Sequence, residues 1–145
     1  MPRKSSPEEE MFAQAAAQAA QTDPVLYELD GVLDTDSLAQ QVGTHLDQVG
    51  EATLPGEVLL RILLVKDLDA WSDQQTAEQV ADSLALRWFC RLGLQRAPTA
   101  SRVSQGAAQV PRATLEALAN RVPHAQERAH RSAGRLRPQQ RARWR

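Results

Sequence analysis

Apolar side chains crowd one stretch of the chain, Glu57 to Leu94, EVLLRILLVKDLDAWSDQQTAEQVADSLALRWFCRLGL. Val58, Leu59, Leu60, Ile62, Leu63, Leu64, Val65 and Leu68 follow one another so closely that a helix built from them is apolar around most of its circumference. Such a helix belongs at the centre of a fold. Thr53, just before Pro55, is placed to cap it, and Trp71 to close it. Ser72 with Gln75 spells a capping box for a second, amphipathic helix with Ala77, Val80 and Ala81 inward. Ser83 caps a third, whose buried stripe is Ala85, Trp88, Phe89 and Leu92; Arg87 and Arg91 sit one turn apart on another face, and Gly93 suits the left-handed C′ position.

The flanks are thinner. Ser6-Pro7-Glu8-Glu9-Glu10 carries a capping serine, a proline at the first helical position and acids at the positive end of the dipole, which predicts a helix to about Gln21. Its body is mostly alanine and glutamine, with Met11 and Phe12 as the only large apolar residues, so it reads as a loosely docked arm. Thr22-Asp23-Pro24 ends it. Val25 to Leu33 repeats apolar residues at three- and four-residue spacing, and Asp34 or Asp36 caps a helix through Leu38, Val42 and Leu46. Residues 50–56 form a linker. After the turn at Gln95 to Pro98, Thr99 caps a short helix over 100–108 with Ser101, Arg102 and Gln105 outward and Val103 inward. Pro111 starts a helix through Leu115, Leu118 and Val122, which Pro123 interrupts. Beyond Gly134 no apolar periodicity remains, and that stretch is expected to be disordered unless bound. The pattern therefore predicts an all-α fold, a small helical bundle, divided into an arm over 1–22, a helical domain over 23–122 and a basic tail over 123–145.

Composition narrows the function classes. With 145 residues, 42% hydrophobic and 4% aromatic, the chain holds one domain with a modest core. No apolar run approaches the ~20 residues of a membrane span, and the polar, acidic start from Met1 to Glu10 is unlike a signal peptide, so a cytoplasmic protein with no membrane partner is expected. Cys90, the lone cysteine, reads as a small buried hydrophobe. Charge is strongly polarised. Up to position 85 four basic residues face sixteen acidic ones, whereas beyond it thirteen arginines face two acids. An arginine-rich half suits a phosphate-backbone partner; the competing reading is an acid–base match within the molecule or a merely solvated tail.

Two helices joined tightly, followed by a capped short helix bearing arginine and glutamine, is the order of a helix-turn-helix-like DNA-binding unit. In that reading Arg102 and Gln105 face base edges, Thr99 and Ser101 serve as cap and phosphate contacts, and Arg87, Arg91 and Arg96 hold phosphates of double-stranded DNA. The bland alternative is a helical bundle with solvated arginines. Asp67, Asp69, Asp73 and Glu78 read as caps and solubilising charges, and His45, His124 and His130 show no ligand spacing. No glycine-rich phosphate loop or Ser/His/Asp arrangement can be assembled, so no catalytic residues, metal or cofactor are expected. Trp88-Phe89 reads as core and not as a base-stacking platform.

The segments VLYELDGVLDTDSLAQQV, LPGEVLLRILLVKDLDAWSDQQTAEQVADSLALRWFCRLGL, APTASRVS and PRATLEALANRV resemble the N-terminal region of bacterial insertion-sequence transposases of the ISNCY group, relatives of the IS-five-like enzymes. The resemblance runs from about Val25 to Arg137. It implies an all-helical DNA-binding part that acts at insertion-sequence terminal repeats and precedes an RNase-H-like DDE catalytic domain. Departures accompany it. Where the family continues into the first catalytic aspartate, Gly134-Arg135-Leu136-Arg137 leads into Pro138-Gln139-Gln140, so a fragment without catalytic capacity is expected. Gly106 stands where the family carries a core aromatic, Pro123 where it carries a helix-compatible residue, and the loop before Leu54 is shorter. The second function weighed is an interaction module that pairs with full-length transposase and inhibits it through the exposed face of the central helices, and a third is a pseudogene product without function; a homo-oligomer is a further partner expectation.

Overall fold

The computed structural model describes residues 6–49, 54–125, 127, 128 and 131, and these form an all-helical body. Helix α1 spans Pro7–Gln21, α2 Pro24–Leu33, α3 Ser37–Val49, α4 Gly56–Asp69, α5 Asp73–Asp82, α6 Leu84–Phe89, α7 Ala100–Ala107 and α8 Arg112–Ala119. Most starts are dictated by side-chain caps that satisfy amides no helix can satisfy for itself. Ser6 accepts from the Glu9 N–H, Asp23 from Leu26, Asp36 from Leu38 and Ala39, Ser83 from Leu86, and Thr99 from Arg102. The Ser72 and Gln75 capping box closes in both directions.

Helix α4 is the axis of the packing. Every residue from Val58 to Val65 is buried, as is Leu68, and α3, α5, α7 and α8 surround them. Burying one such leucine is worth about 1.5–3 kcal/mol, which is why this helix, and no weaker one, takes the centre. Its start is stabilised differently from expectation. Thr53 lies outside the described residues, and Pro55 offers no capping oxygen; instead the Gly56 N–H donates to Asp47 Oδ1 of α3 at 2.6 Å. Gly56 permits this approach, because a Cβ there would collide with the Gly43 carbonyl oxygen.

Three local outcomes differ from the sequence pattern. Helix α6 ends at Phe89 with Cys90 as its C-cap, and Arg91, not Gly93, takes the first left-handed position at φ 62°. The Leu92 N–H reaches the Arg87 carbonyl at 3.0 Å and the Arg91 N–H reaches that of Trp88 at 3.2 Å, the paired bonds of a Schellman ending. Helix α8 stops at Ala119, before Pro123, and Pro123 opens a further helical turn, where its missing N–H costs nothing. Helix α1 docks against α6, with Ala16 and Ala20 fully buried, since small side chains let the two backbones approach.

The packed body reaches past α8. Val122 and Ala125 are buried, and Arg128 grips Asp69 through Nε at 2.7 Å and Nη2 at 2.7 Å, and Asp23 through Nη1 at 2.8 and 2.9 Å. Burial alone would lower the Arg128 pKa, but the hydrogen bonds and charges of Asp69 and Asp23 outweigh it and raise it.

Candidate nucleic-acid interface

Helix α7 carries the four residues on which base and cap contacts were expected. Thr99 is its N-cap, Ser101 and Gln105 are exposed, and Val103 is buried. Arg102 is not fully outward. It is half-buried, its Nε and Nη2 have no hydrogen-bond partner, and it lines a recess of about 230 Å³ with Leu46, Val49, Leu59, Gln105, Gly106 and Gln109. Gly106 leaves no hole in the core, because Leu59 fills the space: a Cβ on Gly106 would come within 2.8 Å of Leu59 Cδ2.

The three arginines expected to clamp phosphates fare differently from one another. Arg87 donates from Nε to the Ala81 carbonyl at 2.9 Å, and from Nη1 to those of Gly93 at 2.9 Å and Gln95 at 2.8 Å. Its guanidinium therefore pins the turn that follows α6. Arg91 donates from Nη2 to Asp34 at 2.6 Å and Asp30 at 3.1 Å. Arg96, on the turn held by Arg87, is exposed and makes no ion pair among the described residues. Packing also divides the seven residues, for α6 lies on α1 while α7 lies on α4 and α5.

Arg61, visible in the sequence only as an interruption of an apolar run, proves to be an ionic hub. It is 1% exposed, and its Nη1 donates to Asp30 at 2.8 Å and to the Phe89 carbonyl at 2.9 Å. Nη2 reaches Asp34 at 3.3 Å and Nε lies 3.5 Å from Glu57. The charge polarity along the chain is thus partly resolved inside the molecule. Arg91 returns to Asp30 and Asp34, Arg121 to Asp36 at 2.9 Å, Arg112 to Asp67 at 3.6 Å, and Arg128 to Asp23 and Asp69. The Arg121 hydrogen bond holds the Asp36 carboxyl below its usual range. Asp67, by contrast, is pushed up to about 6 by burial, which outweighs Arg112.

Elsewhere burial decides the chemistry. Cys90 is fully buried, and desolvation pushes its thiol up to about 12, so no thiolate is available there. Trp88 is only half-buried and stacks on Tyr27, with centroids 5.9 Å apart and planes 2° from parallel. Among the described residues, no group of three His, Cys, Asp or Glu is placed to hold a metal ion, and no helix is long and apolar enough to cross a membrane.

An all-helical body wrapped around one apolar helix, with its cations folded back onto its own acids, defines a class of small ion-paired bundle. The sequence matches the transposase domain family (DUF772) over residues 14–105, so the chain belongs to that family. No curated protein and no solved structure matches it.

Proposed function

We propose that this chain is the DNA-binding part of an ISNCY-type insertion-sequence transposase, acting at the terminal repeats of its element in the cytoplasm and without cleavage chemistry of its own. The observation that carries the reading is the family match, which spans the second half of α1 through α7 and ends at Gln105, on the helix whose face is polar. In this reading α5, α6 and α7 serve as a helix-turn-helix-like unit. Ser101 and Gln105 meet DNA directly, Arg96 is the one of the three expected phosphate clamps that is exposed with no ion pair among the described residues, and Arg102 must swing out of its recess to reach a base. Arg87 and Arg91 act at one remove, by fixing the turn that presents Arg96 and the packing of α2. Titrating labelled duplex carrying the element's terminal repeats against the pure protein tests it. Binding that prefers the repeats over scrambled duplex supports the reading, and none even at low salt removes it.

A second reading, a module that pairs with intact transposase and inhibits it, draws on the exposed apolar side chains Met11, Tyr27 and Leu94. Co-sedimentation with the full-length enzyme in the absence of DNA separates it from the first.

A further inference from the structure

Arg102 differs from the arginines around the core in having no acceptor. Arg61, Arg91, Arg121 and Arg128 each donate to carboxylates, and Arg87 donates to three backbone carbonyls. The Nε and Nη2 of Arg102 are buried and have no hydrogen-bond partner. A guanidinium cannot shed its proton to escape that position, so burial without an acceptor costs the fold stability. Those two nitrogens form one edge of the guanidinium, whose parallel N–H groups match the two oxygens of a carboxylate in a bidentate pair.

The recess that Arg102 lines supplies the rest of a site. It offers about 230 Å³ between the end of α3, the first half of α4 and α7. Leu46, Val49 and Leu59 give it apolar walls, Gln105 and Gln109 give it amides, and no acid among the described residues lines it. Inorganic phosphate would set a second charge and further oxygens against these walls, whereas a short aliphatic stem fits them. We propose that the recess binds a small organic acid, its carboxylate on the Nε and Nη2 edge of Arg102 and its carbon chain against Leu46, Val49 and Leu59. The site goes beyond the DNA-binding reading and does not depend on it; while occupied, it keeps Arg102 from a base.

Butyrate is the probe, titrated into the full 145-residue chain at constant ionic strength with chloride as the reference. In nitrogen-15-labelled protein the Arg102 Nε–H signal, assigned by its loss in Arg102→Met, is expected to shift saturably while those of Arg61 and Arg128 stay in place. The melting temperature is expected to rise by roughly 3–6 °C at ten times the half-saturating concentration. Arg102→Met removes the charge and keeps an unbranched apolar stem, so in chloride it should melt at or above the parent and gain nothing from butyrate. The inference is overturned by an Arg102 signal that butyrate does not move, by an equal gain in the variant, or by inorganic phosphate acting at a lower concentration than butyrate. A variant that melts well below the parent in chloride overturns it too, because the guanidinium would then be paired already. No DNA enters these measurements, so their failure leaves the DNA-binding reading standing, and that reading falls only to the duplex titration.

Discussion

Arg61 and Phe89 are joined twice: the arginine's Nη1 donates to the Phe89 carbonyl oxygen at 2.9 Å, and its guanidinium carbon lies 5.3 Å from the centre of the same residue's ring. The central helix and α6 are thereby locked through a charge that is itself satisfied by Asp30, Asp34 and Glu57. Truncating one partner of a buried ion pair costs about 3–5 kcal/mol, because the rest is left uncompensated. Arg61→Ala should therefore lose at least that fraction of stability in urea unfolding. Arg91→Ala, removing an exposed member of the same cluster, should lose about 1 kcal/mol or less. Equal losses for the two would show that Arg61 is not the hub.

Phe89 and Trp88 are adjacent but not equivalent. Phe89 is fully buried, so Phe89→Ala should cost about 3–5 kcal/mol and abolish a cooperative melt in a domain this small. Trp88→Ala removes a half-buried ring stacked on exposed Tyr27, and should cost about 1–2 kcal/mol with the helical signal retained. Thermal melts followed at 222 nm distinguish them, and a Trp88 variant that fails to fold would contradict the packing described.

The glycines rank by what their missing side chains would meet. Gly56→Ala drives a methyl into the Gly43 carbonyl, backbone that cannot move aside, and should destabilise by about 2–3 kcal/mol or more. Gly106→Ala meets only the flexible end of Leu59 and should cost about 1 kcal/mol. Gly31→Ala has open space within α2 and should be stabilising by about 0.5–1 kcal/mol. Chemical denaturation of the three variants gives the order.

Asp67 sets a pH dependence opposite in sign to that of most carboxylates. Its pKa is raised to about 6 from 3.8, so the folded state holds the proton more tightly, and its contribution to stability is full below about 4 and falls as pH rises to about 6. Asp36, held below its ordinary value by Arg121, works the other way and loses its contribution as pH falls. Asp67→Asn should consequently be more stable than the parent by about 1–2 kcal/mol at pH 7.5, with the difference vanishing below pH 4. A constant difference across that range would mean that burial of the carboxylate is not the cause.

How much of this was legible in the sequence depended on whether the signal was local. Ser6, Ser72, Ser83 and Thr99 declare their caps, and Asp34 or Asp36 narrows that of α3 to two, because a cap needs only the three residues that follow; Asp23, read only as part of a helix end, caps α2. The central position of α4 was legible from density of apolar residues alone. The partners of the arginines were not, since Arg91 finds Asp34 across 57 residues and Arg128 finds Asp23 across 105. A one-dimensional charge profile shows surplus but not neighbours. Arg87 and Arg91 thus looked available for phosphate when read as a helical pair, and the Schellman ending at Arg91 places them in different surroundings. The recess at Arg102 depends on where α3 and α4 lie, which no spacing within α7 records.

The grip of Arg128 on Asp23 and Asp69 has a mechanical meaning. Asp23 opens α2 and Asp69 ends α4, so one side chain fastens the far end of the body to the core helix and to the start of its neighbour. A pull on the chain at Arg128 is taken up by two carboxylates anchored on packed helices. It does not first peel away α8.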